Sequence, residues 1–327
     1  MDISKNSGLQ NDIAKQGECV MLSENIYENQ GIKLKYYEAK NDLQPLVLLH
    51  AQGVDSLSFA GIIKPLSKKF HIYAVDCYGH GGSLHDPSKY NVKDIGNAII
   101  RFIEEVIGRK IWLLGHSSGG LIAAYIATET EWCERLFLED PPFFSSQGER
   151  RKQSFNYIDL STVCHEYLAQ SDSKDFVLYY FSNQYAWNFF PEDSRDKVKP
   201  KLVTMAAKYR EKHPNKNLKV MFWPKAALDA FRGMNQYDPR FGETFYDDSF
   251  HSGIPHQELL QKIRCKTVFM KAKTETGNDG ILMAALNEED LRQVAELIPD
   301  CTVVRFDCGH GIHTDNPREF VQCIKDN

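Results

Sequence analysis

The sequence has little excess charge of either sign and no long apolar run, and these absences exclude two classes of protein. Its 327 residues include 39 Lys and Arg against 44 Asp and Glu, without a long basic run. Nucleic acids and anionic membrane surfaces are therefore poor candidates as partners. No apolar run approaches the roughly 20 residues that a membrane-spanning helix needs. We expect neither a nucleic-acid-binding protein nor a membrane protein.

The cysteines lack the regular spacing of metal-binding or disulfide-rich domains. The eight cysteines are Cys19, Cys77, Cys133, Cys164, Cys265, Cys301, Cys308 and Cys323. Because no C-x-x-C pair occurs, neither a zinc ribbon nor a compact disulfide framework is expected. Residues 1–17 are polar, without the apolar core of a signal peptide, and are expected to form a flexible tail. A reducing cytoplasm, where the thiols stay free, is the simplest predicted location.

Short apolar runs recur along the chain with helical segments between them. A turn at Asn29–Gly31 and the alternating stretch Ile32–Tyr36 predict two antiparallel edge strands. The later runs are Leu46–Leu49, Ile72–Val75, Ile111–Leu114, Leu136–Leu138, Thr267–Met270 and Thr302–Phe306. Continuous apolar strands alternating with helices are typical of a parallel sheet covered on both faces. The predicted fold class is therefore α/β, with a doubly wound and mostly parallel sheet.

Three helices of this fold can be read from the spacing of apolar residues. Apolar side chains recur at intervals of three and four between Val92 and Val106 and again between Leu291 and Ile298. Asn316-Pro317 predicts the start of a closing helix, because proline is favoured in the first turn.

The alternation of strands and helices stops between Pro142 and about Lys262. A loop of about 120 residues without structure is implausible, so residues 143–262 are expected to form a helical cap inserted into the core of residues 18–142 and 263–327. The cap is rich in aromatic residues, among them Trp187, Phe189, Phe190, Phe222, Trp223, Phe231, Tyr237, Phe245 and Tyr246. These residues either line a pocket or pack the interior of the insertion, and packing is favoured.

Gly115-His116-Ser117-Ser118-Gly119 is the most informative motif of the chain. It lies between the apolar run ending at Leu114 and the helical stretch that begins at Leu121, so it predicts a tight strand-to-helix turn. Ser117 at the apex is the candidate nucleophile. The Ser118 N–H and the following helix dipole are suited to stabilise an oxyanion.

A serine nucleophile needs a base within hydrogen-bond reach, and His310 has the right position in the sequence. It follows the final predicted strand on a loop that meets the same edge of the sheet as the Ser117 turn. His313 is the rival candidate, although a packing role is favoured for it.

Together with these features, two earlier motifs carry a resemblance to a known family. They are His50-Ala51-Gln52-Gly53 after an apolar run and Asp76-Cys77-Tyr78-Gly79-His80-Gly81-Gly82-Ser83 after the next. With the Ser117 turn and Gly309-His310 in the same order, the chain resembles capped α/β-hydrolase-fold proteins, a group that includes esterases, carbon–carbon bond hydrolases and haloperoxidase-like enzymes. The order of serine, acid and histidine in that family can be satisfied here.

The resemblance implies a second oxyanion N–H in the turn after the first buried strand, at Gln52 or at Ala51. Ala51 stands where the family usually has glycine, so the backbone of this turn is expected to differ. The resemblance gives Asp76 and His80 a structural turn and no chemistry.

The acid of the triad has four candidates. The usual family position, past Met270, offers Glu275 and Asp279. A minority of the family carries the acid one strand earlier, where this chain has Glu139 and Asp140, and Asp140 is favoured.

Together these features predict a serine hydrolase that cleaves a small-molecule ester or lactone through an acyl-enzyme. Serine at the turn disfavours dehalogenases and epoxide hydrolases, which need a carboxylate nucleophile. No metal and no organic cofactor is required, and no oligomeric state is predicted. The alternatives are a carbon–carbon bond hydrolase acting on a diketone-type substrate, a non-catalytic ligand-binding protein of this fold, and an interaction module built on the aromatic insertion.

Overall fold

The computed structural model describes residues 21–214, 216–220, 231–277 and 280–327, and a single sheet organises them. The strands of this sheet are β1 Leu22–Asn29, β2 Ile32–Ala39, β3 Gln44–Leu49, β4 Phe70–Val75, β5 Ile111–His116, β6 Cys133–Glu139, β7 Lys266–Lys271 and β8 Cys301–Arg305. Their order is β1-β2-β4-β3-β5-β6-β7-β8. The strands β3 to β8 pair in parallel, whereas β1 and β2 are antiparallel. The predicted doubly wound, mostly parallel sheet is confirmed.

The antiparallel edge follows from a two-residue turn. Gln30 and Gly31 both have positive φ, 47° and 81°, and Asn29 pairs with Ile32. A turn with two positive φ values matches the right-handed twist of paired strands, so it closes a hairpin here.

Helices connect the parallel strands and cover the sheet. They are α1 Ala60–Leu66, α2 Val92–Phe102, α3 Ser118–Glu129, α4 Thr162–Ala169, α5 Phe176–Asn183, α6 Glu192–Lys212, α7 Pro239–Tyr246, α8 His256–Lys262, α9 Glu288–Leu297, α10 Ile312–Asp315 and α11 Pro317–Asp326. Among the residues described, no helix is long and apolar enough to cross a membrane.

Local signals set the ends of the predicted helices. The Asn91 side chain accepts hydrogen bonds from the N–H groups of Lys93 and Asp94 and so caps the start of α2. The helix continues as a π turn and stops at Gly108, whose φ is 64°. Asn287 and Asp290 form a reciprocal capping box at the start of α9.

Two apolar cores lie on opposite faces of the sheet. Adjacent strand residues point to opposite faces, so Leu113 joins one core and Leu114 the other. The first core contains the buried faces of α2 and α3, and the second contains those of α1 and α11. Helices on both faces explain why the central parallel strands contain continuous apolar runs.

The segment predicted as the cap, residues 143–262, contains α4 to α8 and several short helical turns in its described part. Trp187, Phe231, Tyr237 and Phe245 are buried, in agreement with a packing role, whereas Phe189 is 64% exposed. Phe222 and Trp223 lie outside the described residues, as do residues 1–17 that are predicted to form a flexible tail. We use the name cap for residues 143–262 below.

Candidate active site

Ser117 lies at the apex of a strained turn between β5 and α3. Its φ and ψ angles are 54° and −120°, a conformation that non-glycine residues rarely adopt. Its N–H donates to the Glu139 carbonyl oxygen at 2.9 Å, which ties the turn to the end of β6. Such backbone strain costs about 1–3 kcal/mol and persists where the surrounding structure enforces it. The predicted strand, turn and helix are therefore present around this serine.

Gly119 allows the start of α3 to approach the end of β3. A Cβ atom on Gly119 would overlap the Leu49 carbonyl oxygen and would lie 2.6 Å from the His50 carbonyl oxygen. The turn that follows His50 is therefore close to the N-terminus of α3. Ser118 is the first residue of α3, and the first N–H groups of a helix have no partner within it.

The turn of Ala51, Gln52 and Gly53 is held by contacts on two sides. The Gly53 N–H donates to His80 Nε2 at 3.1 Å, and the Gln52 side-chain amide donates to the Tyr237 hydroxyl of the cap at 2.9 Å. The positive φ of this turn, 78°, falls on Gly53 rather than on Ala51. Alanine at position 51 is therefore compatible with the turn.

Asp76 and His80 hold the neighbouring loops. Asp76 Oδ1 accepts from the Ser56 N–H at 3.0 Å, and Oδ2 accepts from the Gly82 N–H at 3.1 Å. Burial holds the pKa of His80 well below its usual range. Neutral His80 can donate from Nδ1 to the Tyr78 carbonyl oxygen while Nε2 accepts from Gly53. Both residues are engaged in loop structure.

His310 forms a hydrogen bond with the buried carboxylate of Asp140. The Nδ1 atom of His310 lies 2.8 Å from Asp140 Oδ2, and the His310 side chain is 41% exposed while Asp140 is fully buried. Asp140 has a φ of 43°, and its N–H donates to the Met270 carbonyl oxygen at 2.9 Å. Aspartate is one of the few residues that tolerate this left-handed conformation.

His310 also contacts the residue that precedes the nucleophile. His116 Nε2 donates to the His310 carbonyl oxygen at 3.1 Å, and the two ring centroids are 4.8 Å apart. The loop after β8 and the Ser117 turn are therefore neighbours.

The remaining candidate acids are engaged elsewhere or lie outside the described residues. Glu139 accepts hydrogen bonds from the backbone N–H and from Nδ1 of His313, both at 2.8 Å. The Glu275 side chain is 61% exposed and lies 3.2 Å from Lys273 Nζ. Asp279 is in a part of the chain that the structure does not describe. Of the described candidates, Asp140 is the one that forms a hydrogen bond with the His310 side chain.

Three buried ionisable side chains, those of His116, Glu139 and His313, lie together next to the Ser117 turn. Burial would raise the pKa of Glu139, but His313 and His116 hold it below its usual value. Burial lowers the pKa of His116 to about 3, so this ring is neutral near pH 7. His116 Nδ1 has no hydrogen-bond partner among the described residues.

These three residues are also the described side chains that could hold a metal ion. Their ligand atoms lie within 4.8 Å of one another, and imidazole and carboxylate are zinc ligands. Nδ1 of His313 is already bonded to Glu139, so hydrogen bonding accounts for this pair without an ion.

Sequence reasoning missed one charged residue of this site, Lys271. It is the last residue of β7 and only 1% exposed, and its Nζ lies 3.5 Å from Asp140 Oδ1. The same ammonium donates to the Ala272 carbonyl oxygen. A signal was present, because Lys271 directly follows the apolar run Thr267–Met270 and parallel strands bring their ends to one edge.

The fold and this arrangement at the strand ends agree with a family match. Residues 46–322 match the model of the alpha/beta hydrolase family. Because the match covers most of the chain, the protein belongs to the alpha/beta hydrolase family.

Two curated proteins are similar to parts of the chain. One is an (E)-2-((N-methylformamido)methylene)succinate hydrolase from Acinetobacter baylyi, 23% identical over 46% of this chain and 60% of its own length. Another is a pimeloyl-[acyl-carrier protein] methyl ester esterase from Vibrio cholerae, 29% identical over 36% of this chain and 44% of its own length. In both cases the match spans less than two thirds of the relative.

The fold as a whole is similar to solved structures. An esterase from a Rhodococcus species superposes with a TM-score of 0.63 at 19% identity, covering 93% of this chain and 97% of the esterase. At this level of identity the likeness concerns the fold.

Proposed function

We propose that this protein is a serine hydrolase that cleaves a small-molecule ester or lactone through an acyl-enzyme intermediate. Ser117 is the nucleophile, His310 the base and Asp140 the acid that orients it. The observation that carries the proposal is the 2.8 Å hydrogen bond between Asp140 and His310, beside the strained turn that bears Ser117. A nucleophile, a base and an orienting carboxylate are the parts that acyl transfer needs.

The proposed reaction begins with proton transfer from the Ser117 hydroxyl to Nε2 of His310. Ser117 Oγ attacks the substrate carbonyl, and the backbone N–H groups of Ser118 and Gln52 donate to the resulting oxyanion. Each such donor typically lowers the barrier by about 3 kcal/mol. His310 then protonates the leaving alkoxide, which departs from an ester and stays attached in a lactone. Water, activated by His310, hydrolyses the acyl-enzyme.

We assign the cap as one wall of the substrate site. Arg232 Nη1 lies 2.6 Å from Asp55 Oδ2, and the Tyr237 hydroxyl accepts from Gln52. The side chains of Leu160 and Met234 approach Gly53 so closely that a Cβ there would be 3.4 and 3.5 Å from them. The cap therefore touches the turn that supplies one oxyanion donor.

Carbon–carbon bond hydrolysis of a diketone-type substrate is the second candidate, since the same three residues can carry it. Tyr237, an aromatic residue of the cap, contacts the turn that carries Gln52. An aromatic side chain at this position favours the second candidate for a conjugated substrate. A curated esterase among the similar proteins favours ester cleavage.

The proposal is tested with a fluorophosphonate probe and a substrate panel. We expect the probe to label the wild type at Ser117, located by peptide mass spectrometry, and Ser117→Ala to lose both labelling and turnover. The panel contains p-nitrophenyl acetate and butyrate, δ-valerolactone and a vinylogous 1,5-diketone. Ser88→Ala, at an exposed serine, is the matched control.

Equal labelling of wild type and Ser117→Ala would contradict the nucleophile assignment. Labelling at Ser117 with turnover of the diketone alone would replace ester cleavage by the second candidate. Labelling without turnover of any panel member would favour a ligand-binding role.

A further inference from the structure

Two cysteine side chains meet at the edge of the sheet opposite the Ser117 turn. Cys133 is the first residue of β6, and Cys265 directly precedes β7, the neighbouring parallel strand. Their Sγ atoms are 3.8 Å apart, and both thiols are free in this structure. Cys133 pairs with Ile111 at the start of β5, whereas Ser117 follows the last residue of that strand. The two thiols therefore lie apart from the proposed active site.

The positions of these cysteines suit a disulfide. Neighbouring strands lie about 4.8 Å apart, and disulfides join Cα atoms about 4.4–6.8 Å apart. Since an S–S bond is about 2 Å long, the two sulfur atoms must approach each other by about 1.8 Å. Rotation of the side chains about their Cα–Cβ bonds can supply a movement of this size. The pairing of Arg135 with Lys266 can then stay as it is.

The two thiols differ in reactivity. Cys133 is buried, and its hydrogen bond to Cys265 together with burial raises its pKa. The same hydrogen bond lowers the pKa of Cys265, although burial opposes this effect. Because the thiolate is the attacking form, Cys265, which is also partly exposed, is the thiol that reacts first. Cys133 is placed to resolve the product.

We propose that Cys133 and Cys265 are an oxidation site, at which a low-molecular-weight disulfide such as oxidised glutathione generates an intramolecular disulfide. The Cys265 thiolate attacks one sulfur of the oxidant, and one glutathione leaves as a thiolate. The Cys133 thiolate then attacks Cys265 Sγ in the mixed disulfide and displaces the second glutathione. The two cysteine thiols lose two electrons and two protons, and the oxidant becomes two thiols.

The new bond encloses the cap. Residues 134–264 form the loop that it closes, and the cap, residues 143–262, lies wholly within that loop. The cap leaves the sheet after β6 and returns before β7, so the bond joins the two strands to which the cap is attached. Cross-linking a long loop restricts the unfolded chain, so we expect the oxidised protein to be more stable than the reduced one.

The test is differential alkylation of the whole chain after incubation with reduced or oxidised glutathione. Trypsin then releases residues 111–135 and the dipeptide Cys265-Lys266, which stay joined when the disulfide has formed. Cys133→Ser and Cys265→Ser are treated in the same way, and a thermal melt is recorded for each protein. Cys301→Ser is the matched control, because Cys301 begins β8 on the other side of β7.

We expect the linked peptides in the oxidised wild type and in Cys301→Ser, and in neither of the other variants. Cys133→Ser is expected to keep glutathione on Cys265, because the resolving thiol is absent. In Cys265→Ser the buried Cys133 is expected to stay unmodified. The oxidised wild type is expected to melt about 4–10 °C above the reduced protein, and neither single variant is expected to show this rise.

Oxidised wild type without the linked peptides overturns the inference. Equal retention of glutathione on Cys265 in the wild type and in Cys133→Ser also overturns it, because Cys133 then resolves nothing. A linked protein that melts with the reduced protein overturns the constraint on the cap. The inference does not rest on the proposed function, which fails separately through unchanged probe labelling in Ser117→Ala.

Discussion

Asp140 and His310 are 170 residues apart in the chain, and a 2.8 Å hydrogen bond joins Oδ2 of one to Nδ1 of the other. Asp140 follows β6 and His310 follows β8, so the bond spans the end of the intervening strand β7. The positive φ of Asp140 and the bond of its N–H to Met270 let the chain turn at this point while it stays paired with β7. The end of β7 thus supports the carboxylate and supplies Lys271.

Replacing Asp140 by asparagine is expected to reduce Ser117 labelling and ester turnover about 10²–10⁴-fold. An amide donates to Nδ1 of His310 and so leaves the proton on Nε2, the atom that must accept the serine proton. Asparagine tolerates a left-handed backbone, but the buried Lys271 loses its carboxylate neighbour, so a thermal melt accompanies the assay to show that the variant is folded. Rates from stopped-flow labelling and p-nitrophenyl acetate hydrolysis give the measurement.

Glu275→Gln is the matched control for Asp140→Asn, because it makes the same kind of change at an exposed carboxylate paired with Lys273. We expect less than about a twofold effect, as for most surface substitutions. A loss in Glu275→Gln as large as that in Asp140→Asn would transfer the role of the acid to the loop after β7.

Glu139→Gln is expected to destabilise the protein by about 1.5–3 kcal/mol near pH 7, the usual contribution of hydrogen bonds to a charged group. The Glu139 carboxylate accepts two hydrogen bonds from His313 and is fully buried. Urea unfolding of the wild type and the variant measures the difference. Glu134→Gln, at an exposed position of the same strand, is the control.

The same variant gives a pH dependence with a defined sign. Because the folded-state pKa of Glu139 lies below its usual value of 4.5, its ionised form contributes stability above about pH 4.5. That contribution is lost as pH falls through the lowered folded-state pKa. The difference in unfolding free energy between wild type and Glu139→Gln is therefore expected to be largest near pH 7 and to shrink below pH 4.5. A difference that is constant over this range would contradict the assignment of the lowered pKa to Glu139.

The sheet was predictable because its strands are short apolar runs that stand apart from their surroundings, as at Ile111–Leu114 and Thr267–Met270. The Ser117 turn was equally predictable, since glycines at fixed offsets from a serine, between a strand and a helix, are typical of a nucleophile turn. The choice of His310 as the candidate base followed from its position after the last strand.

The partner of His310 was harder to predict, because four carboxylates satisfied the same local pattern. Glu139 and Asp140 are adjacent in the chain, and three-dimensional packing decides which of them faces His310 and which faces His313. Lys271 was missed because its burial depends on Asp140, which the sequence places 131 residues earlier. Pairing across strands is a property of the fold and leaves no periodic pattern.

Tyr237→Phe is expected to reduce turnover of p-nitrophenyl butyrate about 3–10-fold with little change in the melting temperature. The substitution removes the hydroxyl that accepts from the Gln52 side chain at 2.9 Å and so loosens the turn that carries the proposed Gln52 donor. Loss of an oxyanion donor typically reduces the rate about 10²–10³-fold, and partial displacement of the donor reduces it less. Steady-state kinetics on the ester series gives the measurement.

Tyr180→Phe serves as the matched control for Tyr237→Phe. It removes a buried hydroxyl of the cap that donates to Asp159, and no hydrogen bond joins that hydroxyl to the Gln52 turn among the described residues. We expect this variant to lose stability by about 1–3 kcal/mol, since the buried Asp159 carboxylate loses one donor and keeps the Tyr185 N–H. Reduced turnover in Tyr180→Phe alone would argue that the cap acts through its overall stability and not through Gln52.

Gly119→Ala tests whether close contact between α3 and β3 builds the site. An added methyl group would overlap the Leu49 carbonyl oxygen and approach that of His50. Both are backbone atoms at the end of β3, so they cannot move unless the strand moves with them. We expect a loss of more than about 3 kcal/mol in stability, or failure to fold, with loss of Ser117 labelling in any folded protein.

Gly61→Ala is the matched control, because Gly61 is also helical and a Cβ there meets nothing within 4 Å. Since alanine favours helix by up to about 1 kcal/mol over glycine, Gly61→Ala should be neutral or stabilising and should label normally. Normal stability and labelling in Gly119→Ala would mean that α3 can move away from β3 without harm to the nucleophile turn.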